Sequence, residues 1–483
     1  MPERMAAIAP LVLALACGHS SIGPDSNDAR GGSTSSSGGA VGQGGATNSA
    51  GGTTSAGAST VTGGVSGGQT QGGSSAGGSM MGGAPAQGGT VSNAGSAGTG
   101  TGGQGEPAGV VGAPFKFPQN YRSQYCTYPT LVKSSWAQSA YMRWKSELVT
   151  SDGAGGFRRV RRPNNEMDTT VSEGIGYGMI LSVVMDDQPL FDDLWNYSQQ
   201  YLNQNGLMNW LVDSGGKIGM NGNGAATDAD EDIAWALALA DKKWGGKGSL
   251  SSDYLTLAKA QIGRIWDHEV DHGRGELLLA GDSWGWQVPY NPSYFAPNQY
   301  RLFAKLSGND GWIKVIDKGY EMLGKVQSSE WGNASNGLVP AWTNDSGVPT
   351  PAFDGAPTNF QYDAIRTPFR IAQDYCDFGE PRAKAYLQKV STFFSGIGAA
   401  KIVDGYELNG TPKPENPTVQ SALFVGAPGV ASMSDATYSV FLNDTYGLLT
   451  TKEMLPPSYY FNLSWQVFSL LMMSGNLFDY TLH

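Results

Sequence analysis

Apolar residues recur about every three or four positions along most of the chain after Pro114, and strict alternation of apolar and polar residues is scarce. That period puts apolar side chains on one face of a helix, so it predicts an all-α domain. Twelve helices are predicted, at residues 132–150, 173–187, 189–203, 227–244, 252–270, 294–307, 311–326, 361–377, 380–397, 419–432, 434–446 and 458–474.

Two kinds of helix are recognisable in this series. Segments 173–187 and 227–244 are apolar almost all round, and such helices must be buried between other elements. Segments 189–203 and 380–397 are amphipathic, as expected of helices that face solvent on one side. Paired helices of these two kinds predict a toroid with an inner and an outer ring, whose long loops gather at one end. An α-solenoid would need a fixed repeat period, and the sequence has none.

The most unusual of these helices is segment 227–244. Thr227 or Asp228 can cap its N-terminus by accepting hydrogen bonds from free backbone N–H groups. Its first turn also crowds together the carboxylates of Asp228, Asp230, Glu231 and Asp232. The helix dipole favours acids there, but their mutual repulsion costs free energy unless another group uses them. We therefore expect a buried helix that delivers carboxylates to a cleft; the alternative is a surface helix with an excess of acidic residues at its start.

Composition separates an N-terminal region from the helical domain. Residues 18–112 consist largely of Gly, Ser, Ala, Thr and Gln and cannot bury a core, so they are predicted to form a disordered linker. All 13 Trp lie after it. The folded domain is predicted to span residues 113–483.

The first residues have the pattern of an export signal. Arg4 precedes an apolar run that ends at Cys17 and is too short to span a bilayer permanently. Residues 1–17 are therefore predicted to be a signal peptide. Ala14 and Ala16 fit ordinary cleavage, whereas the sequence up to Cys17 resembles a bacterial lipobox, which we prefer because a lipidated Cys17 would make the linker a membrane-anchored stalk. Either route exports the domain, as an extracellular or outer-surface protein of a bacterium.

Charge and cysteine content narrow the possible partners. The formal net charge is −11, so the protein is a poor candidate for binding nucleic acid or anionic membrane surfaces. We expect a neutral or else a cationic substrate. Besides Cys17 the chain contains Cys126 and Cys376, which in an exported protein form either one disulfide or two buried thiols.

A second unusual segment is Val171-Ser172-Glu173-Gly174-Ile175-Gly176-Tyr177-Gly178-Met179. Glycines in the first turns of a helix weaken it by about 0.5–1 kcal/mol each relative to alanine, so another constraint must require them. We expect the close approach of a bulky ligand; a tight helix–helix crossing is the alternative. Ser172 can cap this helix. Glu173 follows it, where the helix dipole lowers a carboxyl pKa, so a catalytic acid here would need burial or a neighbouring carboxylate to raise it.

Two further motifs suggest other chemistries. The segment His268-Glu269-Val270-Asp271-His272 has the spacing of a zinc protease, but two glycines follow it directly and a third ligand is hard to find. We interpret its histidines as cations at a helix end. The segment Gly281-Asp282-Ser283-Trp284-Gly285 has the spacing of an esterase elbow, but the prolines that follow forbid the helix such an elbow needs. No metal is predicted.

Taken together, four segments resemble glycoside hydrolase family 8. Ala226-Thr227-Asp228-Ala229-Asp230, with Ile233-Ala234 and Ala240-x-x-x-Trp244, matches the family signature except at Ala238, where a larger aliphatic residue is usual. The segment around Glu173 is similar to the acid-bearing segment of that family. Also typical of it are Asn291-Pro292-Ser293-Tyr294-Phe295-Ala296-Pro297 and Tyr362-Asp363-Ala364-Ile365-Arg366-Thr367-Pro368-Phe369-Arg370.

The resemblance implies an (α/α)6 barrel of six inner and six outer helices, with a substrate groove in the loops, and hydrolysis of β-1,4-linked glycans with inversion. It implies Glu173 as general acid and Asp363 as the base that activates water, with Tyr362 and Arg366 beside it. Asp228 or Asp230 would hold the sugar at the cleavage point in a distorted shape. Asp374 is a second candidate base, ranked below Asp363. An inverting enzyme needs one protonated and one ionised carboxyl about 6.5–9.5 Å apart.

Sugar rings also need flat apolar partners, and aromatic residues on or beside the predicted loops are candidates for substrate binding. They are Tyr177, Trp210, Trp284, Trp286, Tyr294, Tyr459 and Tyr460, with core packing as the alternative for each. The predicted function is that of an endo-β-1,4-glucanase acting on cellulose or a related β-glucan. Xylan, mixed-linkage glucan and chitosan are alternative substrates, and a non-catalytic carbohydrate-binding surface protein is the alternative of a different class. No cofactor is predicted, and we expect a monomer.

Overall fold

The computed structural model describes residues 115–283, 289–353, 355–413, 418–451 and 459–482. The predicted signal peptide with Cys17, the predicted linker at 18–112, and Trp284 and Trp286 lie outside the described residues. Within the described ranges, no helix combines the length and the apolar character needed to cross a membrane.

The described residues form twelve α-helices, and each overlaps one of the predicted segments. They are α1 (Ser134–Leu148), α2 (Ser172–Val184), α3 (Gln188–Ser198), α4 (Thr227–Trp244), α5 (Tyr254–His268), α6 (Pro297–Ser307), α7 (Gly311–Lys325), α8 (Arg366–Phe378), α9 (Pro381–Ile397), α10 (Ala422–Ala431), α11 (Ser439–Thr451) and α12 (Tyr459–Met473). Short antiparallel strand pairs lie in the connections: β1 (Val149–Thr150) with β2 (Arg159–Val160), β3 (Thr170–Val171) with β4 (Leu211–Val212), and β5 (Val270–Asp271) with β6 (Leu277–Leu278).

The even-numbered helices form an inner ring and the odd-numbered helices surround it. Every residue of α2 and α10 is buried, whereas α3 and α9 bury one face only. Inner helices pack in order, α2 on α4, α4 on α6, α6 on α8, α8 on α10 and α10 on α12. Tyr177 of α2 closes the ring, because its side chain packs against Tyr460 and Trp465 of α12. The fold is the predicted (α/α)6 barrel, and the assignment of segments to the two rings is confirmed.

The starts of α2 and α4 are anchored differently from the prediction. Asp228 Oδ1 accepts from the backbone amide of Ala229, in the first turn of α4, at 3.0 Å. The side chains of Ser172 and Thr227 do not cap their helices. Instead, the backbone amide of Ser172 donates to the carbonyl of Trp210 at 2.9 Å, and that of Thr227 donates to the carbonyl of Ala280 at 3.2 Å. Loop carbonyls therefore satisfy the first amides of both helices, which ties the loops at this end to the inner ring.

Four predicted helix starts, those of α6, α8, α10 and α11, are three to five residues too early. Helix α6 begins at Pro297, since proline fits the first turn of a helix but not its interior. Helix α11 begins only after a short 3-10 helix, which Asp435 caps by accepting from the amide of Thr437 at 3.0 Å. Helix α8 begins at Arg366, and the residues before it form turns. Asp363 therefore precedes the helix and does not lie on it.

The glycines of α2 face protein, not a ligand. A Cβ atom at Gly174 would lie 3.1 Å from the ring of Tyr460, and one at Gly176 would lie 3.0 Å from Cβ of Asp232 on α4. At Gly178 it would lie 2.6 Å from Leu194 of α3. The expectation of a bulky ligand is therefore wrong, and the alternative of tight helix–helix crossings is correct for these positions.

Cys126 and Cys376 form a disulfide that spans 250 residues of sequence. The bond joins the segment before α1 to the last turns of α8, so it links the N-terminal edge of the domain to the inner ring. The sequence left this pairing open, and the structure decides it.

We expect the double variant Cys126→Ser/Cys376→Ser to lose about 2–5 kcal/mol of stability, because the unfolded chain regains the freedom of a long loop. Melting temperatures with and without a reducing agent measure this. The reductant should lower the melting temperature of the wild type and leave that of the variant unchanged; equal melting temperatures for all four samples would contradict the prediction.

Candidate active site

Three carboxylates from separate segments meet at Arg366, the first residue of α8. Its side chain is fully buried, and Nη1 donates to Glu173 Oε2 and to Asp228 Oδ2, at 2.6 Å each. Nη2 lies 3.5 Å from Asp363 Oδ1. Glu173 and Asp363 remain 7% and 5% exposed, so both reach solvent at this end of the barrel. The structure thus brings together the predicted acid, the predicted base and one of the two predicted sugar-holding aspartates.

The cluster lies where the N-termini of several inner helices converge. Glu173 is the second residue of α2, Asp228 the second of α4, and Tyr460 the second of α12. Tyr460 donates its hydroxyl hydrogen to Glu173 Oε1 at 2.8 Å. The positive ends of the α2 and α4 dipoles face their own carboxylates, which offsets part of the cost of burying negative charge.

Burial sets the protonation of the predicted acid. It raises the pKa of Glu173 to about 7, against the lowering effect of Arg366, and the charge of Asp228 raises it further. Burial also raises the pKa of Asp228, which Arg366 opposes through its charge and its hydrogen bond. Burial therefore outweighs the lowering effect of the α2 dipole on the pKa of Glu173. A catalytic acid at this position needed burial or a neighbouring carboxylate to raise its pKa, and both are present.

The other acidic residues of α4 have separate partners. Asp230 accepts a hydrogen bond from Gln261 of α5 at 2.7 Å and lies beside Glu269. Burial raises the pKa of Asp230 well above its usual value, and the charges of Asp282 and Asp228 add to that effect. Of the two aspartates proposed to contact the sugar, the structure places Asp228 on Arg366 and turns Asp230 towards α5. Asp230 is thus not part of the cluster.

The carboxylate of the second candidate base, Asp374, also has other partners. Asp374 is fully buried in α8, where Arg301 of α6 contacts its two oxygens at 2.7 and 3.2 Å. Tyr320 of α7 donates its hydroxyl to the same carboxylate at 2.5 Å. This carboxylate joins an inner helix to an outer one, so Asp363 remains the candidate base.

The zinc-protease spacing does not form the geometry it would need. Helix α5 ends at His268, and β5 separates it from His272, which packs against Trp266. The two histidines therefore do not lie on one helix face. No group of three or more His, Cys, Asp or Glu side chains in the described ranges has the geometry to hold a metal ion.

Tyr177 and Tyr460 are the most deeply buried of the predicted sugar-stacking aromatics in the described part of the chain. Tyr177 is 1% exposed and packs edge-on against Trp465 and Phe468, while its hydroxyl lies 3.3 Å from Arg366 Nη1. Tyr460 is 2% exposed and stacks on Tyr177. Neither ring has a free face for a sugar, so the stacking role is wrong for both; the core-packing alternative describes their rings.

The remaining aromatic candidates border the cluster. Trp210 lies next to the start of α2 and donates its indole N–H to the carbonyl of Asn221 at 2.9 Å. The ring of Tyr294 lies 5.2 Å from the guanidinium of Arg366. Tyr362 immediately precedes Asp363, and Tyr459 is half-buried at the start of α12. Their contacts with sugar stay predictions, as does that of Trp284.

Asp404 was not among the residues predicted from the sequence. This buried carboxylate accepts from the amide of Ser421 at 2.8 Å, at the start of α10, and from the hydroxyl of Tyr362 at 3.4 Å. Burial raises its pKa to about 6. Asp404 thereby links the turn that carries Asp363 to the inner ring. It lies in a loop without a recognisable motif, so only the fold reveals it.

Comparison with known proteins agrees with this geometry. Residues 119–475 match the family model of glycosyl hydrolases family 8. The chain is 42% identical over 347 residues to Endoglucanase C of Ruminiclostridium cellulolyticum, covering 72% of this chain and 71% of that protein. It is 39% identical over 381 residues to Endoglucanase A of Acetivibrio thermocellus, covering 77% and 76%.

Solved structures give the same fold. The apo structure of a β-1,3-1,4-glucanase from Paenibacillus sp. X4 matches with a TM-score of 0.69 at 29% identity, covering 76% of this chain and 100% of that one. Rex8A from Paenibacillus barcinonensis, complexed with xylose, matches with a TM-score of 0.60 at 22% identity, covering 70% and 93%. The second likeness concerns the fold alone.

The barrel and its carboxylate cluster define a glycoside hydrolase. The chain belongs to glycosyl hydrolases family 8, as its sequence motifs indicated.

Removal of Arg366 should destabilise the domain strongly, because the carboxylates around it would be left buried without a cation. For Arg366→Met we expect a loss of about 3–5 kcal/mol in the free energy of unfolding, measured by denaturant titration. Arg382→Met is the matched control: this arginine also contacts two carboxylates, Glu380 and Asp317, but its side chain is 43% exposed. Its loss should cost less than about 1 kcal/mol. Equal losses in the two variants would contradict the prediction.

Proposed function

We propose that the protein is an endo-acting β-1,4-glucanase that hydrolyses cellulose or a related β-glucan with inversion of the anomeric carbon. The observation that carries the proposal is the meeting of Glu173, Asp228 and Asp363 on one buried arginine. The two curated relatives described above are both named endoglucanases, and they support the choice of substrate. Mixed-linkage glucan is the second candidate, since one similar solved structure is a β-1,3-1,4-glucanase.

In this reaction Glu173 is the general acid and Asp363 the general base. Glu173 gives its proton to the glycosidic oxygen, and the bond from that oxygen to the anomeric carbon breaks with its electron pair on the oxygen. Asp363 accepts a proton from a water molecule whose oxygen bonds to the anomeric carbon from the opposite face. One water is consumed; Asp363 passes its proton to solvent, and Glu173 takes a proton from solvent before the next turnover. Asp228 accepts hydrogen bonds from hydroxyl groups of the sugar at the cleavage point.

The assignment of roles follows from the surroundings of each carboxyl. A general acid works best when its pKa lies near the working pH, and the pKa of Glu173 is raised to about 7. Asp363 contacts Nη2 of Arg366, whereas Glu173 contacts Nη1. The width of the guanidinium and the two contact distances therefore limit how far apart the two carboxyls can be. This arrangement is compatible with the separation of about 6.5–9.5 Å that inverting hydrolases use to admit water.

Aromatic side chains beside the cluster complete the proposed groove. We assign sugar contacts to Trp210, Tyr294, Tyr362 and Tyr459, and to Trp284, which lies outside the described residues. Aromatic rings offer flat apolar faces to the C–H faces of sugars. Arg366, which is buried, serves the substrate only through the carboxylates that it holds.

We further propose that the domain is exported and acts as a monomer, tethered through the linker and a lipidated Cys17. The disulfide between Cys126 and Cys376 supports an oxidising compartment, because such bonds are rare in the cytosol. A polymer such as cellulose must be cleaved outside the cell, which agrees with this location.

The experiment that tests the function supplies carboxymethyl-cellulose, mixed-linkage glucan, xylan and chitosan to the protein. We expect the fastest release of reducing ends from carboxymethyl-cellulose, with a rapid fall in viscosity. Proton NMR of fresh products from an unsubstituted β-1,4-glucan oligosaccharide should show new reducing ends in the α configuration. β-Configured ends would overturn the inverting mechanism, and a clear preference for xylan or chitosan would overturn the substrate.

We expect kcat/KM to fall above about pH 7, because Glu173 loses the proton that it must donate as pH rises through its pKa. Glu173→Gln cannot give up a proton, so kcat should fall by about 10²–10⁴. Asp317→Asn is the control, since that carboxylate lies on the surface of α7. Unchanged hydrolysis by Glu173→Gln would show that Glu173 is not the acid and would reopen the alternative of a carbohydrate-binding surface protein.

A further inference from the structure

The two oxygens of Glu173 have different neighbours. Oε2 accepts from Arg366 Nη1 at 2.6 Å, and Oε1 accepts from the hydroxyl of Tyr460 at 2.8 Å. A guanidinium group can only donate hydrogen bonds, whereas a phenol hydroxyl can donate or accept. The two sides of the carboxyl are therefore not equivalent in chemistry.

This difference decides where the acid proton resides. A proton on Oε2 would remove the negative charge from the oxygen that accepts from Arg366 and would weaken that short, charge-assisted contact. A proton on Oε1 leaves the contact with Arg366 intact. Tyr460 then turns its own hydroxyl hydrogen away, and it can donate again once Glu173 is ionised. Oε1 is consequently the oxygen that gains and loses the catalytic proton.

The ring of Tyr460 is held rigidly enough to place its hydroxyl. It stacks on Tyr177 with ring centroids 6.4 Å apart, at an angle of 17°. Gly174, the residue after Glu173, gives it room: a Cβ atom there would lie 3.1 Å from the ring and 3.2 Å from the hydroxyl oxygen. The glycine beside the acid and the tyrosine of α12 are thus one steric unit, although 286 residues separate them.

We propose that Tyr460 is a positioning residue for the general acid, whose hydroxyl keeps the proton-carrying oxygen Oε1 of Glu173 in one place through both protonation states. The proposal rests on the proposed function, because it presumes that Glu173 is the acid. Gly174 is part of the same arrangement, since any larger side chain at this position would displace the ring of Tyr460.

Tyr460→Phe tests the proposal, because it removes the hydroxyl and keeps the ring in the core. The hydrogen bond from Tyr460 lowers the pKa of Glu173, so its loss raises that pKa. We expect the alkaline limb of kcat/KM to move up by about one pH unit, as the loss of a hydrogen bond to a charged group implies. At the optimum kcat should fall by about ten- to a hundredfold, with KM within about twofold of wild type, because an acid out of place weakens the chemical step more than binding.

Two further variants separate positioning from folding. Gly174→Ala keeps the hydroxyl but presses on the ring, so it should lower kcat and move the same limb in the same direction. Tyr386→Phe is the matched control: Tyr386 is a buried tyrosine of α9 whose hydroxyl has no hydrogen-bond partner in the described part of the chain. It should leave both kcat and the limb unchanged. Circular dichroism and melting temperature are recorded for every variant.

The outcomes distinguish the two levels of the argument. If wild type hydrolyses β-1,4-glucan, Glu173→Gln does not, and Tyr460→Phe keeps the wild-type kcat and limb, the positioning role is wrong and the proposed function stands. A fall in kcat without any movement of the limb would also overturn it, since loss of packing alone has that effect. If Glu173→Gln retains wild-type activity, the proposed function itself fails.

Discussion

The structure depends on one buried cation, Arg366. Taking a charge out of water costs several kcal/mol, and this guanidinium has no exposed surface. The cost is offset only because three carboxylates, carried by α2, by α4 and by the turn before α8, all reach it. Those segments lie far apart in sequence, so the ring of inner helices must close before the charges can meet. The barrel and its candidate site are therefore a single electrostatic unit.

The same arrangement recurs one helical turn deeper. Arg370 follows Arg366 by four residues on α8, and Asp232 follows Asp228 by four on α4, so each pair lies on one helix face. Arg370 contacts both oxygens of Asp232 at 2.6 and 2.9 Å, as Arg366 contacts Asp228 in the layer above. Glu231 accepts from Tyr300 of α6 at 2.7 Å. The upper layer is the more exposed, through Glu173 at 7% and Asp363 at 5%, whereas Asp232 and Arg370 are only 2% and 3% exposed. The lower layer therefore holds the frame on which the upper layer acts.

The two layers of charged residues show which features of the molecule could be predicted from its sequence and which could not. Helices follow from apolar periodicity, and the crowding of acids at the start of α4 marked that segment as exceptional. The grouping of Glu173, Asp228, Asp363 and Arg366 followed from family motifs. The direction of each acid around α4 did not, because a helix buried on all sides has no polar face to orient it, and Asp230 was grouped with the wrong partners. Tyr460 was assigned to sugar for a similar reason: the residues that bury its ring come from α2, at the other end of the domain sequence.

The acid strength of Glu173 is a balance that neither burial nor ion pairing could set alone. With Arg366 close by and full solvation, the carboxyl would stay ionised near neutral pH and would have no proton to give. With burial and no cation, Glu173 would stay protonated. Asp228 and Asp363, however, would lose the positive charge of Arg366 that permits their burial. Because burial outweighs the arginine by a moderate margin, the pKa of Glu173 lies at about 7, where the proton is both present and transferable. Arg366 lies 2.6 Å from Glu173, as close as it lies to Asp228, so burial and not a weak ion pair keeps the proton available at the one position where it must leave.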